Sequence, residues 1–379
     1  MKKKIFALFI VVVLSGCSAT DVQNIIQIAT SKDPTSTLSK IATQKATSYS
    51  SKEIANIINK FLKAIEKEWG KESKTPSPKE YVKYTQNYKS MTYVNFDTGE
   101  ILVQTVDEQN PKESLKNAII TTLLTPEDPR SIDMYSDASI KLSGTPYLYK
   151  SVQDHTGNYI NSKSRASSFA DFLIKNTLQT KTTKLNNETQ NIYYITIKMV
   201  SNHTQVRAKK YLPLVEKYSK KYGISKSLIF AIMQTESDFN PFAISSANAI
   251  GLMQVVPNSA GKDVNNFLYG KNTAPTRDFL YDANNNIHFG TTYLHMLQNK
   301  YLSNINNPIS KEYCIIAGYN TGAGNVLKTF SSNKTKAFDE INRLDANTLY
   351  KKLKKDLPYD ETRRYLDKVL HNKKNFVNM

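Results

Sequence analysis

The residue of this chain best suited to acid–base chemistry is Glu236, which follows an apolar stretch and precedes a proline. Apolar side chains recur at helical spacing over residues 228–233, and Ser225 is placed to cap the start of a helix. Glu236 comes three to four residues after the last of these apolar residues, so it borders their buried face. Because Pro241 disfavours helical geometry in Asn240, we expect the helix to end there.

Two effects are expected to raise the pKa of Glu236. Partial burial disfavours the charged form of a carboxylate, and the negative end of the helix dipole acts in the same direction. A carboxyl group that stays protonated near neutral pH can serve as a general acid. The alternative that this stretch leaves open is a glutamate in the last turn of a helix that simply turns to solvent.

Two later segments carry residues that suit a binding cleft. Residues 251–254 read Gly-Leu-Met-Gln, and a glycine beside an apolar pair and a glutamine suits a chain that passes close to a ligand. Residues 317–324 read Ala-Gly-Tyr-Asn-Thr-Gly-Ala-Gly, which offers a stacking ring at Tyr319 and an amide at Asn320 on an exposed turn. Each segment alone is weak evidence, whereas their order and spacing after Glu236 are specific.

In this order the segments resemble three blocks of the lysozyme-like domain of the soluble lytic transglycosylases: ES, then GLMQ, then AYN with glycines. Residues 358–365 resemble the fourth block of the family, which ends in a tyrosine. The resemblance covers roughly residues 206–370. It implies a mainly helical domain that cleaves peptidoglycan.

The resemblance also implies which residues bind or orient the sugar. These expected substrate-binding residues are Ser245, Met253, Gln254, Tyr319, Asn320 and Tyr365. By family position, the serine and the glutamine hydrogen-bond N-acetylated sugars, and the methionine lines the same cleft. The two tyrosines and the asparagine position the sugar and the acid, Glu236.

Only one carboxyl group has a motif position, although most glycosidases use two. Asp238 is the nearest acid to Glu236, but residues two apart on a helix do not face each other. Three further aspartates, Asp263, Asp278 and Asp282, are expected in loops.

One acid suffices if the substrate supplies the nucleophile, as the resemblance implies. Glu236 would protonate the bridging oxygen of the MurNAc–GlcNAc β-1,4 bond, and the N-acetyl group of the sugar would stabilise the developing charge. The glutamate would then take the proton of the MurNAc C6 hydroxyl, which closes a 1,6-anhydro ring without consuming water.

Two other functions remain open from the sequence. A hydrolase of the goose-lysozyme type shares the fold and the single glutamate, and would release reducing ends. A catalytically silent peptidoglycan-binding scaffold could retain the fold, although the presence of Glu236 argues against it.

The first seventeen residues predict export and lipidation. Three lysines precede an apolar run over residues 5–14, which is too short to span a membrane and is typical of an export signal. Residues 14–17 resemble a bacterial lipobox, which implies that Cys17 carries the lipid; an ordinary signal peptide is the alternative. Ser18 resembles the sorting pattern for the outer membrane, which implies a lipid anchor on its periplasmic face.

The charge favours a protein that works near an anionic surface. The formal net charge is +18, and removal of residues 1–16 takes away three lysines and no acid, which leaves +15. Such a balance attracts polyanions. For an exported lipoprotein these are the cell wall and lipid head groups, so we expect no nucleic-acid partner, and the sequence names no protein partner.

The sequence contains no pattern for a metal or a cofactor. Its five histidines form neither an HExxH motif nor a Cys/His zinc pattern. Residues 318–324 do not follow a strand, so a dinucleotide loop is not expected. Lipidation of Cys17 would leave Cys314 without a disulfide partner, and the apolar neighbours of Cys314 predict a buried small residue.

The remaining patterns predict an α+β fold, with a mainly α-helical lysozyme-like catalytic domain preceded by a small α+β N-terminal domain. Residues 93–106 indicate a β-hairpin, and residues 193–199 alternate as in a strand. Residues 115–124 and 169–178 indicate helices. The hairpin and helices also resemble the N-terminal domain of the membrane-bound lytic murein transglycosylase C family.

The expected division of the chain has four parts. They are a lipoprotein signal peptide at 1–16, a lipidated stalk at 17–50, a helix plus α+β domain at 51–203, and the lysozyme-like lytic transglycosylase domain at 204–379. The helix of the third part has apolar residues at helical spacing up to Trp69, so it is expected to pack in a core.

Overall fold

A computed structural model describes residues 51–185, 188–245 and 247–379, which form two units in succession along the chain. The first unit combines helices with an antiparallel sheet, and the second is helical. The α+β fold class expected from the sequence is therefore confirmed. The predicted signal peptide and stalk, with Cys17, lie outside the described residues.

The first unit contains eight regular elements within its described residues. They are α1 (Ser51–Trp69), β1 (Glu80–Thr85), β2 (Ser90–Asn95), β3 (Glu100–Thr105), α2 (Pro111–Leu124), α3 (Lys163–Thr177), β4 (Gln179–Leu185) and β5 (Glu188–Lys198). The strands pair in the order β1-β2-β3-β5-β4, all antiparallel. The hairpin of β2 and β3 is confirmed, whereas β1 and β4 were not predicted because their apolar alternation is weak.

Helices cover both faces of this sheet. The neighbours Tyr81 and Val82 of β1 belong to different cores, because successive side chains of a strand point to opposite faces. On one face α1 buries Phe61, Ile65 and Trp69, so the prediction that this helix packs in a core is confirmed. On the other face α2 and α3 pack against the sheet.

The second unit is a bundle of helices around one central helix. Its helices are α4 (His203–Lys210), α5 (Leu212–Tyr222), α6 (Lys226–Ser237), α7 (Lys262–Tyr269), α8 (Arg277–Tyr281), α9 (Ala283–Met296), α10 (Pro308–Thr321), α11 (Ala323–Lys328), α12 (Lys334–Arg343), α13 (Ala346–Asp356) and α14 (Asp360–Lys373). The central helix α6 is in contact with α5 and α14, and its apolar residues 228–233 are buried. Cys314 is buried in the same core, as expected.

Three aspartates expected in loops lie at helix starts instead. Asp263 and Asp278 are in the first turns of α7 and α8, and Asp282 caps α9 by accepting a hydrogen bond from the backbone N–H of Asn285. The prediction failed because these helices are short or begin with polar residues, so they lack an apolar repeat. Acidic side chains are favourable at helix N-termini, where they meet unpaired N–H groups.

The two units share a packed interface. Phe242 of the second unit inserts into the core of the first, with ring centroids 4.7 Å from Tyr81 and 5.2 Å from Tyr147. Arg207 is 2% exposed and donates hydrogen bonds to the carbonyl oxygens of Phe96 and Asp238, one in each unit. Among the described residues, which begin at residue 51, no helix has the length and apolar character needed to cross a membrane.

Candidate active site

Helix α6 carries Glu236 in its last turn. The expected cap is confirmed, because the Ser225 hydroxyl accepts a hydrogen bond from the backbone N–H of Leu228 at 3.3 Å. The predicted end of the helix at Asn240 is wrong, because α6 stops at Ser237. Asp238 takes a left-handed conformation with φ 49°, and its N–H bonds to the carbonyl of Gln234, a common way to close a helix.

Glu236 is half-buried and hydrogen-bonded, which contradicts the alternative of a side chain that simply turns to solvent. Its Oε1 accepts a hydrogen bond from the Tyr365 hydroxyl at 2.7 Å. Burial raises the pKa of Glu236 from 4.5 to about 7, and the nearby charge of Glu361 acts in the same direction. The Tyr365 hydrogen bond and the charge of Lys79 lower the pKa and oppose burial. Near neutral pH the carboxyl group therefore exists in both protonation states, as a group that alternates between acid and base requires.

Two tyrosines flank this carboxyl group. Tyr365 belongs to α14 and Tyr319 to α10, and burial together with the charge of Glu236 raises both phenol pKa values well above 10.0. Both hydroxyls therefore stay protonated and able to donate. The Tyr319 hydroxyl donates to the carbonyl of Met253 at 2.8 Å, which joins α10 to the segment that follows α6.

The predicted exposed turn at Tyr319 and Asn320 is wrong, because both residues lie in the last turn of α10, which ends at Thr321 just before Gly322. The side-chain oxygen of Asn320 accepts a hydrogen bond from the Thr362 hydroxyl at 2.6 Å. This bond connects α10 to α14 beside Tyr365. Helix α10 includes Gly318, which lies close to Leu297: a Cβ at this glycine would be 3.2 Å from the end of the leucine side chain.

Gly251 packs against a protein side chain, not against an open cleft as expected. It has φ 73°, and a Cβ there would lie 2.4 Å from the amide nitrogen of Asn286. Asn286 donates to the carbonyls of Ile250 and Leu280 and accepts from the N–H of Met253. Sequence reasoning missed this residue; the signal was a run of three asparagines, 284–286, at the start of a helix.

The side chain of Met253 is fully buried next to Gly290, where a Cβ would lie 2.5 Å from the methionine sulfur. Its backbone carbonyl, which receives the Tyr319 hydroxyl, is the part of Met253 that reaches the candidate site. Ser237, the serine of the ES block, to which the sequence analysis gave no role, donates from its buried hydroxyl to the carbonyl of Leu252 at 2.8 Å. The end of α6 and the 251–254 segment are thereby held together.

Gln254 carries a buried acceptor that the described protein does not satisfy. Its side chain is 8% exposed, and its amide nitrogen donates to the carbonyl of Gly251 at 3.0 Å. Its Oε1 has no hydrogen-bond partner among the described residues. Since an unsatisfied buried acceptor is costly, this oxygen is suited to receive an N–H from a ligand.

Ser245 has a structural hydrogen bond in the loop before this segment. Its hydroxyl accepts the N–H of Ala249 at 3.0 Å, and its side chain is half-buried. The hydroxyl retains a proton that it can donate to another acceptor.

Other acids do not pair with Glu236. Asp238 is 1% exposed and forms an ion pair with Lys79 of the first unit. Across residues 51–185, 188–245 and 247–379, no second carboxylate makes a hydrogen bond to Glu236 or to Tyr365, and no group of three or more potential metal ligands occurs. Glu236 is therefore hydrogen-bonded to a hydroxyl group, while the charge of the exposed Glu361 acts on it without a hydrogen bond.

Comparison with known proteins agrees with this geometry. Residues 47–210 match the family model of the N-terminal domain of membrane-bound lytic murein transglycosylase C, and residues 213–342 match the transglycosylase SLT domain. The chain is 47% identical over 322 residues to membrane-bound lytic murein transglycosylase C of Yersinia pestis (strain Pestoides F) and to that of Yersinia pseudotuberculosis serotype O:1b (strain IP 31758). Each alignment covers 84% of this chain and 88% of the relative.

The chain belongs to the membrane-bound lytic murein transglycosylase C family. Residues 1–18 match a prokaryotic membrane lipoprotein lipid attachment site, which includes Cys17. Among solved structures, the 70 kDa soluble lytic transglycosylase of Escherichia coli is 28% identical, with a TM-score of 0.34. That match covers 43% of this chain and 23% of the other chain.

Proposed function

We propose that Glu236 is the catalytic acid and base of this lytic transglycosylase. The chain is a lyase that acts on peptidoglycan, and it is a membrane-anchored lipoprotein. The observation that carries the role of Glu236 is its half-buried carboxyl group with a pKa raised to about 7 and a hydrogen bond from Tyr365.

In the first step Glu236 gives its proton to the oxygen that bridges MurNAc C1 and GlcNAc. The C1–O bond breaks, the GlcNAc fragment leaves as an alcohol, and the carbonyl oxygen of the MurNAc N-acetyl group stabilises the positive charge at C1. The Tyr365 hydroxyl, 2.7 Å from Oε1, donates to the carboxylate that this step creates. A charge-assisted hydrogen bond of this kind strengthens as the negative charge develops.

In the second step the carboxylate of Glu236 takes the proton of the MurNAc C6 hydroxyl. The C6 oxygen bonds to C1 and closes the 1,6-anhydro ring, so the C6 proton replaces the one that Glu236 gave to the leaving oxygen. No water enters the products. This route needs a single carboxyl group, which agrees with a Glu236 whose hydrogen bond comes from the Tyr365 hydroxyl.

The sugar is held by groups around the acid. The unsatisfied Oε1 of Gln254 is suited to an acetamido N–H, and the hydroxyl of Ser245 can donate to a sugar oxygen. Tyr319 is hydrogen-bonded to Met253, and Asn320 is hydrogen-bonded to Thr362. These bonds support an indirect role for Met253, Tyr319 and Asn320, which hold α10 and the 251–254 segment in place beside Glu236.

We also propose the division of the chain and its location. The buried core of the second unit contains only residues from Ala208 onward, while the two cores of the first unit come from residues 58–199 plus Phe242. This supports a boundary near residues 203 and 204. Ser18 after Cys17 supports lipid anchoring at the periplasmic face of the outer membrane.

The test is a digest of purified peptidoglycan followed by mass spectrometry of the products. The expected products end in 1,6-anhydroMurNAc and are lighter than reducing ends by one water. Glu236→Gln should remove this activity by a factor of about 10²–10⁴, because an amide cannot give and recover a proton. Products dominated by reducing MurNAc ends would instead identify a hydrolase.

A further inference from the structure

The turn that follows Glu236 is clamped by the first unit. Asp238 and Phe239 both have left-handed backbones, with φ of 49° and 61°. Such conformations are uncommon for residues with side chains, so they persist only where the surroundings hold them. The amide of Asn240 donates to the carbonyl of Pro78 at 2.9 Å, directly before Lys79.

Asp238 is buried at this contact and depends on Lys79 for its counter-charge. Its carboxylate is 1% exposed, and its Oδ2 lies against the Lys79 ammonium. No hydroxyl or amide among the described residues bonds to this oxygen. Burial raises the pKa of Asp238, and the charge of Lys79 opposes that rise. Arg207 holds the backbone of the same turn by donating to the Asp238 carbonyl at 3.0 Å.

Few charged or titratable groups face Glu236. Helix α14 contributes Tyr365 and Glu361, helix α10 contributes Tyr319, and the first unit contributes Lys79. Within the part of the chain that the structure describes, Lys79 is the basic residue whose charge favours the carboxylate form of Glu236. The Lys79 side chain is 30% exposed, so its charge is partly hydrated.

We propose that Lys79 is a positioning residue for the lytic reaction, which fixes the turn after Glu236 through Asp238 and contributes a positive charge to the surroundings of the acid. The proposal rests on the proposed role of Glu236. It assigns the first unit a part in catalysis: the small α+β domain completes the electrostatic surroundings of an acid that the helical domain carries. Without it, the carboxylate needed for the second proton transfer is less favoured.

The experiment compares the full-length protein with Lys79→Met, and it follows the rate on soluble glycan strands from pH 5 to pH 9. Loss of the positive charge raises the pKa of Glu236, so the alkaline limb of kcat/KM should move to higher pH. The expected shift is on the order of half a pH unit, the effect of one charge at a partly hydrated site. We expect kcat to fall severalfold and KM to change little, because the turn is no longer held.

Two matched variants separate charge from general damage. Lys79→Arg retains the charge and should return the alkaline limb to its original position. Lys181→Met is the second control, because Lys181 pairs with Glu72 in the same unit but at the opposite edge of the sheet. This variant should change neither the alkaline limb of kcat/KM nor kcat. If Lys79→Met lowers the rate equally at every pH, its role is only structural and the proposal is wrong.

Since Lys79→Met leaves a buried carboxylate unpaired, it can impair folding. The double variant Lys79→Met/Asp238→Asn also removes that carboxylate charge and tests the positioning role in a folded protein, monitored by thermal unfolding. Its kcat should stay severalfold below that of the wild type because the turn has lost its link to Lys79, and a wild-type kcat overturns the proposal. If Glu236→Gln is inactive and the alkaline limb of Lys79→Met does not move, only the proposed role of Lys79 is refuted. If Glu236→Gln is active, the proposed function itself is refuted.

Discussion

Replacement of Glu236 by glutamine should make the protein more stable at neutral pH while it removes activity. Folding raises the pKa of this carboxyl group from 4.5 to about 7, so between these values the native state binds a proton that the unfolded chain has lost. The free energy of unfolding therefore falls as the pH rises through this window. A shift of that size corresponds to about 3 kcal/mol, at about 1.4 kcal/mol per pKa unit.

The measurement is urea unfolding of the wild type and of Glu236→Gln at several pH values from 4 to 8. Other titrating groups are shared, so they cancel in the difference between the two proteins. We expect this difference to grow in favour of the glutamine variant by about 3 kcal/mol between pH 4.5 and pH 7, and then to level off. Glu340→Gln, at an exposed position of α12, is the matched control for the loss of one carboxyl group.

A constant difference for Glu236→Gln would refute the reasoning, because it would mean that folding does not raise the pKa of this group. The acid would then be ionised at neutral pH, and its assignment as a proton donor would lose its physical basis. The activity assay is independent of this outcome, so the two measurements together separate an acid–base role from a role in binding.

Three further predictions concern other residues. Tyr365→Phe removes the hydrogen bond that lowers the Glu236 pKa, so the alkaline limb of kcat/KM should move upward by about one pH unit, with a roughly tenfold loss of kcat. Gly251→Ala should lower the free energy of unfolding by about 2–4 kcal/mol because of the approach to Asn286, whereas Gly270→Ala, with φ 67° and open space, should cost about 1 kcal/mol in the same urea titration. Cys17→Ala should release an active protein from the membrane pellet; retention after a salt wash would reveal another anchor.

The sequence by itself determined the features that depend on local pattern. Apolar spacing and a serine cap predicted the helix of Glu236, and the polar turn between two apolar runs predicted the hairpin of β2 and β3. The motif blocks identified the catalytic family, because their order and spacing are properties of the chain and not of its packing. The roles of the individual sugar-binding residues remain predictions.

Only the tertiary structure decided which contacts the acid makes and how its charge is balanced. Tyr365 lies 129 positions from Glu236 in the chain, and the paired residues Lys79 and Asp238 belong to different units. No local sequence pattern therefore joins the members of either pair. The end of α6 was predicted at the wrong residue for a related reason. Lys79 and Arg207 hold Asp238 in its left-handed conformation, and helix propensities do not account for contacts with distant residues. A pKa near 7 likewise arises from desolvation by distant parts of the chain, which exists only once the protein has folded.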